Sequence, residues 1–402
     1  MISDPWNMSE NTFNDILDDL RFKYYKWDVY VNGSLKIIPE SIVLSPTEHD
    51  SIVQASESLS SILRAAELEI KKDTSLLARL GIPKKVIPLL KEEPESNTQL
   101  ARYDFFLTRS GKWQLSEFND DVPGGFNDAI GIPELLKQAV PRYSNGALSF
   151  NRSFADSFLS ALPATDPVAL MYATAYAEDL QHMLVLKMLL EKRGQECLMC
   201  SPTHLRSKND KALINGRSIS SIVRFYPGEW FEKLDNIKDW QKQIAGLKMY
   251  NPLTRLISQS KMIFSILKDS SLLTESDRKS VAPFLPDTHF FDKKDQQQLQ
   301  GEKDDWVLKE AFGRMGDNVC VGKLLSQQNW NKALKAATKK EWKFLIQKFF
   351  DVKPLRFACG DLYPAIGAYV INGRFAGYYS RASAKPFLTH EAYYVPTLVK
   401  TS

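Results

Sequence analysis

Cysteine is scarce in this chain, with four in 402 residues. That excludes the dense cysteine framework that staples small secreted domains. Cys197 and Cys200 form a C-x-x-C, but no second pair and no His pair follows at zinc-site spacing, so they read as two small half-buried residues ending a strand. No apolar run reaches the length of about 18 residues that a bilayer span needs. The opening Met1-Ile-Ser-Asp-Pro-Trp6 carries acid and proline where a secretory leader carries a basic and then an apolar stretch. Both absences predict a cytoplasmic protein that does not work in a membrane. An excess of one charge is missing as well: 52 Lys plus Arg stand against 48 Asp plus Glu, a net +4. Nucleic acid is therefore not the expected partner. The lysine-rich stretch 332–348 interposes Ala333, Leu334, Ala336 and Ala337 in the manner of an amphipathic helix with one wetted face.

What is present is ordinary globular composition, 44% hydrophobic and 25% charged, in a chain long enough for two or three packed units. Residues 9–30 and 47–72 carry apolar positions three and four apart, for instance Ile52, Ala55, Leu59, Ile62 and Ala66, and are expected to be helices. From 102 the pattern alternates: Arg102 to Thr108 and Trp113 to Asn119, around Ser110-Gly111, predict a β-hairpin. A β-α-β stretch follows, with strands at 168–173 and 197–200 around a helix over 178–193 that Gly194 ends, and a further strand at 219–226. Residues 250–270 read as helical and 285–303 as a polar linker. The last hundred residues predict strands at 306–310, 319–321 and 342–347, a helix over 328–340, and a closing hairpin whose Asn372-Gly373 turn needs positive φ.

The first hairpin carries the most chemistry. Its expected register sets Asp104 opposite Glu117 and Arg102 opposite Asn119, all four on one face. Carboxylates facing each other across a ladder stand roughly 5 Å apart and repel. Two readings answer that repulsion: a bound cation, or neutralisation by Arg102 in a structural network. Oxygen donors without His or Cys suit Mg²⁺, which takes few protein ligands and completes its shell with water and phosphate oxygens. A second segment, Lys309-Glu-Ala-Phe-Gly313-Arg-Met-Gly316, ends a strand in a lysine and opens into a two-glycine loop. That combination suits phosphate, although it is not the Walker pattern. Lys261, at the end of Asn251-Pro to Ser260-Lys261, is a further cation candidate.

Taken together, Arg102-Tyr-Asp104, Glu117-Phe-Asn119, Tyr226-Pro-Gly-Glu-Trp230, Asn251-Pro to Lys261, Leu308-Lys309, Gly313-Arg-Met-Gly316 and Ser380-Arg381 resemble, in order, the synthetase domain of glutathionylspermidine synthase and its relatives. The resemblance spans roughly 102–396. It implies an α/β (α+β) fold, a circularly permuted ATP-grasp synthetase with an embedded pre-ATP-grasp α/β layer. It divides the chain into an N-terminal helical part (1–100), a metal-binding hairpin of the core (101–160), an α/β acceptor-substrate region (161–250) and the nucleotide lysines, lid and closing strands (251–402). By the same resemblance Asp104, Glu117 and Asn119 would hold two Mg²⁺ ions on the phosphates of ATP. Arg102 and Arg381 would stabilise the charge of phosphoryl transfer. Lys261 and Lys309 would contact the phosphates, Gly313, Arg314 and Gly316 would form the lid, and Gln347 would lead into the adenine hinge.

Three departures stand beside this match. The first hairpin is one residue longer than the family's bacterial pattern, Glu310 replaces the usual proline after Lys309, and the family's late Ser-Arg-Phe-Val-Pro-His reads Ala392-Tyr-Tyr-Val-Pro-Thr397. The amidase of bifunctional relatives has no expected counterpart, since residues 1–100 contain no cysteine and only His49. The implied activity is ATP-dependent joining of a small-molecule or peptide carboxylate to an amine, a polyamine or an amino acid, through an acyl phosphate with release of ADP and phosphate. A non-catalytic nucleotide-binding relative and a simple phosphotransferase are the alternatives. An attacking amine must lose a proton, and Glu178, Asp179 and Glu229 are candidates to take it. Asp120, Asp121 and Asp128, beside Gly124-Gly125, are loop acids near the same face with two readings, contact to an amine substrate or, the one expected, a solvent-facing position. Neither the identity of the substrates nor the oligomeric state is written in the sequence.

Overall fold

The computed structural model describes residues 1–144, 146–163, 167–269, 272–313 and 319–401. A central antiparallel sheet runs in the order Tyr393–Tyr394, Arg374–Ser383, Gly360–Ile371, Leu100–Leu107, Trp113–Asn119, with Leu355–Phe357 also paired to Gly360–Ile371. The long helix Pro46–Ile70 covers one face of it. That helix starts where Ser45 and Glu48 satisfy each other's backbone N–H groups in a capping box, with Pro46 at the first position. It then buries Ile52, Leu59, Leu63, Ala66 and Ile70 against the sheet core that includes Tyr103, Phe105 and Leu115.

Beside the central sheet lies a parallel layer in the order Lys248–Tyr250, Ser221–Phe225, Val168–Tyr172, Cys197–Cys200, crossed over by the helix Ala177–Lys192. Near-continuous apolar burial in its inner strands is what a sheet covered on both faces requires. A third sheet, antiparallel, runs Thr288–Phe290, Phe344–Lys348, Trp306–Glu310, Cys320–Val321. The helix Gln327–Ala337 closes one side of it with Trp330 and Leu334. A fourth sheet brings together Ile2–Pro5, Glu40–Leu44, Thr397–Lys400 and Leu148–Ser149. Among the described residues, no helix is long and apolar enough to cross a membrane.

The structure alters several sequence expectations. The helix expected over 9–30 stops at Phe22; Tyr25, at φ 57°, turns the chain into the short helical turn Trp27–Val29 and the strand pair Tyr30–Val31 with Ser34–Leu35. The polar stretch 285–303 is not a linker: Thr288–Phe290 is an edge strand, followed by the helix Gln296–Gly301. Residues 250–270 form broken pieces, Leu256–Gln259 and Ile263–Asp269, rather than one helix. The closing hairpin turns at Asn372-Gly373 as expected, with φ 49° and 81°.

The first hairpin keeps the expected pairs by an unexpected route. Its turn is a three-residue loop over 109–111, with Gly111 at φ 80°, which moves the register by one. A bulge between Asp104 and Phe105 on the paired ladder moves it back, so Asp104 still faces Glu117 and Arg102 still faces Asn119.

Below this hairpin sits a buried charge network. Asp120 and Asp121, expected as solvent-facing, are fully buried. Both their backbone N–H groups donate to Gln259 Oε1, at 3.0 Å each. Asp121 pairs with Arg224 at 2.6 Å and accepts from Gly228 N at 2.9 Å. These contacts pin the loop after the hairpin to the parallel layer. Burial pushes the Glu67 carboxyl up to about 7 against the pull of Arg255, 2.8 Å away, and nearby Asp120 adds to the rise. Its unfolded value is near 4.5, so the folded chain holds an extra proton between those values. Stability from this group is present below about 4.5 and lost as pH rises through about 7. The urea midpoint is therefore expected to fall between about pH 5 and 8, and to fall less in Glu67→Gln; equal slopes in both proteins would contradict it.

Candidate functional site

One face of the central sheet gathers the charged residues. Alternation puts Arg102 and Asp104 on the same side of Leu100–Leu107, and Tyr379 and Arg381 on the same side of Arg374–Ser383. The ladder aligns Tyr379, Gly367, Asp104 and Glu117 in one row across four strands. Gly367 is the enabling position in that row. A Cβ there would stand 2.8 Å from Arg102 Cδ, 2.9 Å from Asp104 Oδ1 and 2.2 Å from the Tyr379 carbonyl.

Arg102 grips Asp104 with two parallel bonds, Nε to Oδ1 at 2.7 Å and Nη2 to Oδ2 at 2.9 Å, and sends Nη1 to the Gly124 carbonyl at 2.6 Å. Arg381 Nη2 lies 3.6 Å from Asp104 Oδ2. Both guanidinium groups lie against Tyr379, 4.9 and 5.6 Å from its ring centre. Lys261 Nζ is 3.1 Å from Glu117 Oε2 and donates to the Gly313 carbonyl at 2.6 Å. Burial works against the Glu117 charge, but Lys261, then Arg381 and Arg102, outweigh it and hold its carboxyl down to about 2. Lys309 is buried, 3.1 Å from Gln347 Oε1. Burial first, and the neighbouring Lys261 charge second, lower its ammonium to about 8, with Glu117 opposing.

Asp104, Glu117 and Asn119 converge, with Asn119 Nδ2 3.1 Å from Asp104 Oδ2 and 3.4 Å from Glu117 Oε1. The donor set is all oxygen, which suits a hard divalent cation such as Mg²⁺. Here the amide nitrogen of Asn119 faces the acids, and its oxygen would have to turn toward them to ligate a cation. No group of three or more His, Cys, Asp or Glu converges anywhere among the described residues. A cation at the hairpin would accordingly rest on two carboxylates and an amide, with ligand and water oxygens completing its shell.

Two cavities meet at this point. The smaller, of about 60 Å³, is lined by Glu117, Lys261, Lys309 and Gln347 together with Val307, Phe349, Phe350 and Leu388. The larger, of about 490 Å³, is lined by Arg102, Glu117, Asn119, Arg381, Glu178, Asp179, Gly313 and the aromatic pair Tyr176 and Trp230. Glu117 belongs to both. Glu229 is not on the wall of the larger cavity, although its neighbours Pro227 and Trp230 are. Arg314 and Gly316 lie outside the described residues.

The sequence reading missed part of this wall: Lys26, Asp28, His182, Tyr379 and Tyr394, with Asp128 named only as a loop acid. Lys26 and Asp28 come from the segment expected to be helical packing, and no motif marks them. His182 donates from Nδ1 to Asn127 Oδ1 and accepts from Gly125 N at 3.4 Å, a tautomer assigned from these partners. Burial, helped by Lys26 and Arg102 and opposed by Asp28, lowers it to about 3, so it is neutral. Gly125, at φ 98°, leaves room for Tyr379, whose ring would stand 2.6 Å from a Cβ there. The signal for this turn was present in Gly124-Gly125 itself.

Sheets, layers and cleft define an α/β protein of the ATP-grasp type. A model of the glutathionylspermidine synthase preATP-grasp family matches residues 9–400, and the chain belongs to that family. Among solved structures it is similar to a glutathione synthetase-like effector from Globodera pallida in the apo form, at 10% identity with a TM-score of 0.63, covering 98% of each chain. It also matches a putative gamma-glutamylcysteine synthetase from Methylobacillus flagellatus at 14% identity and a TM-score of 0.47, covering 84% of this chain and 86% of that one. No curated protein matches its sequence.

Because strand and side chains leave no space at Gly367, Gly367→Ala is expected to destabilise the chain by about 1–3 kcal/mol, the range for overpacking. Urea unfolding measures it, and a change within about 0.5 kcal/mol, the scatter of neutral surface substitutions, would mean the row relaxes freely.

Proposed function

We propose that the chain is an ATP-dependent ligase that joins a carboxylate to an amine through an acyl phosphate, releasing ADP and phosphate. The observation that carries this reading is that Glu117 lines two cavities, one lined by the lysines Lys261 and Lys309, the other by Arg102, Arg381, Glu178 and Asp179. A phosphoryl group leaving a nucleotide in the first would pass Glu117 to meet a carboxylate in the second. Membership of the glutathionylspermidine synthase family supports the reading. The glutathione synthetase-like effector from Globodera pallida shares the fold.

In this reading Asp104, Glu117 and Asn119 hold Mg²⁺, which when bound screens the phosphate oxygens and the charge that develops on them. Lys309 and Lys261 hold the phosphates; an arriving triphosphate restores the full charge that burial and Lys261 weaken at Lys309. Lys261 then exchanges Glu117 for phosphate. Gln347 and the apolar wall of Val307, Phe349, Phe350 and Leu388 take the base. Gly313, whose carbonyl accepts from Lys261, borders the phosphates. Arg102 and Arg381 hold the carboxylate of the acceptor in line with the transferring phosphoryl group and stabilise its charge. Glu178 and Asp179 stand on the acceptor side, where a proton must leave the attacking amine; Glu229, off the cavity wall, is the weaker candidate.

Purified protein with Mg²⁺ and ATP is expected to release ADP and phosphate only when a carboxylate and an amine are both supplied, as a coupled assay over a matrix of peptides, amino acids and polyamines would show. AMP and pyrophosphate would sink the assignment, and ADP without need of an amine would indicate a phosphotransferase. Glu117→Gln is expected to lower turnover at least about 10²-fold, on the scale of removing one group that stabilises a transition state, while circular dichroism stays unchanged.

A further inference from the structure

The larger cavity is also walled by Lys26, Asp28, Asp128 and Tyr394, which the chemistry above does not use. The Lys26 side chain, 2% exposed, arrives from the turn that Tyr25 makes after the first helix. Its ammonium lies 3.0 Å from Asp28 Oδ1, 3.0 Å from Asp128 Oδ2 and 3.5 Å from the ring centre of Tyr394. The Tyr394 hydroxyl donates to the other oxygen of Asp28. Two carboxylates and an aromatic face around an alkylammonium are how proteins hold cationic amines.

More acid is present here than one lysine needs. Two carboxylates against one ammonium leave the cage negative, and Asp128 Oδ1, on a side chain 6% exposed, has no hydrogen-bond partner. The aromatic wall also carries a hydroxyl, because Tyr394 stands where the late motif of the resemblance has Phe. A phenyl ring would offer the same π face without the hydroxyl that fixes Asp28. The cage therefore has the charge, the spare acceptor and the oriented wall of a cation site, and its occupant is a side chain.

We propose that Asp28, Asp128 and Tyr394 form an alkylammonium subsite in the wall of the acceptor cavity, and that Lys26 fills it from within, so that the part of a substrate bound against this wall carries no cationic group. The statement about substrate rests on the ligase reading; the cage itself does not. A polyamine with an ammonium at this wall would have to expel Lys26 or leave a charge against a filled site, whereas an amino acid or a monoamine with a neutral tail meets no such conflict.

The test removes the plug and supplies it again. Lys26→Ala deletes three carbons and the ammonium, which n-propylammonium replaces. In thermal unfolding of the whole chain without nucleotide, n-propylammonium chloride at about ten times its Kd is expected to raise the Tm of K26A by roughly 2 °C. Neither sodium chloride nor 1-propanol should do so, wild type should not respond, and K26A carrying Asp128→Asn should lose the effect. Equal shifts in wild type and K26A, or equal rescue by 1-propanol, would overturn the proposal. Should K26A not fold alone, its soluble yield on refolding in n-propylammonium against sodium chloride reads the same quantity, and no difference counts against the cage. Because no nucleotide is present, failure here leaves the ligase reading standing, and absence of ADP release leaves this result standing.

Discussion

Two carboxylates held side by side in a poorly hydrated cleft repel each other, and the architecture around Asp104 and Glu117 follows from the need to offset that repulsion. No single segment can supply the positive charge. Arg102 comes from the same strand as Asp104, Lys261 from the broken helix beside the parallel layer, and Arg381 from the last long strand of the central sheet. The central sheet and the segment that carries Lys261 must pack together for these groups to meet. Pairs of this kind add little net stability once desolvation is counted. In the proposed reaction their physical value is that each would be exchanged: a cation for Lys261 at Glu117, a phosphate for Glu117 at Lys261.

The network underneath behaves differently. Asp121 with Arg224, Glu67 with Arg255 and Ser258, and Gln259 with two backbone N–H groups tie the loop and the long helix to the segment at 255–259 and to the parallel layer. Connected buried networks rigidify. The loop after the hairpin is thereby fixed from below, which aims the Gly124 carbonyl at Arg102 and at Tyr369. An exchangeable layer thus rests on a non-exchangeable one.

Periodicity made the hairpins, the parallel layer and the long helix legible, because each buries a regular face. The pairing of Asp104 with Glu117 was readable even though the turn and the bulge were not, since their one-residue shifts cancel. Legibility failed where long-range contacts override local pattern. Asp120 and Asp121 look like loop acids, yet Gln259 and Arg224, both far off in sequence, bury them. The polar stretch around Thr288–Phe290 becomes a strand because Phe344–Lys348 offers it an edge. Lys26 and Asp28 carry no signal at all, for their place depends on one left-handed residue, Tyr25, that ends a helix the spacing would continue.

The central sheet pairs Phe105 with Ile366, and this separation has a kinetic meaning. Loop closure over so long a stretch must precede any reward from the contact, so the innermost ladder forms late. Until then the first hairpin exists without Gly367, Tyr379 or Arg381, and its acids are offset by Arg102 and, once that segment is made and packed, by Lys261. A chain emerging from the ribosome would carry an acidic hairpin but no finished cleft. The row that joins Tyr379, Gly367, Asp104 and Glu117, and the Arg381 contact with Asp104, would then arrive in one step, with the folding of the strands at 360–383, rather than growing as synthesis proceeds.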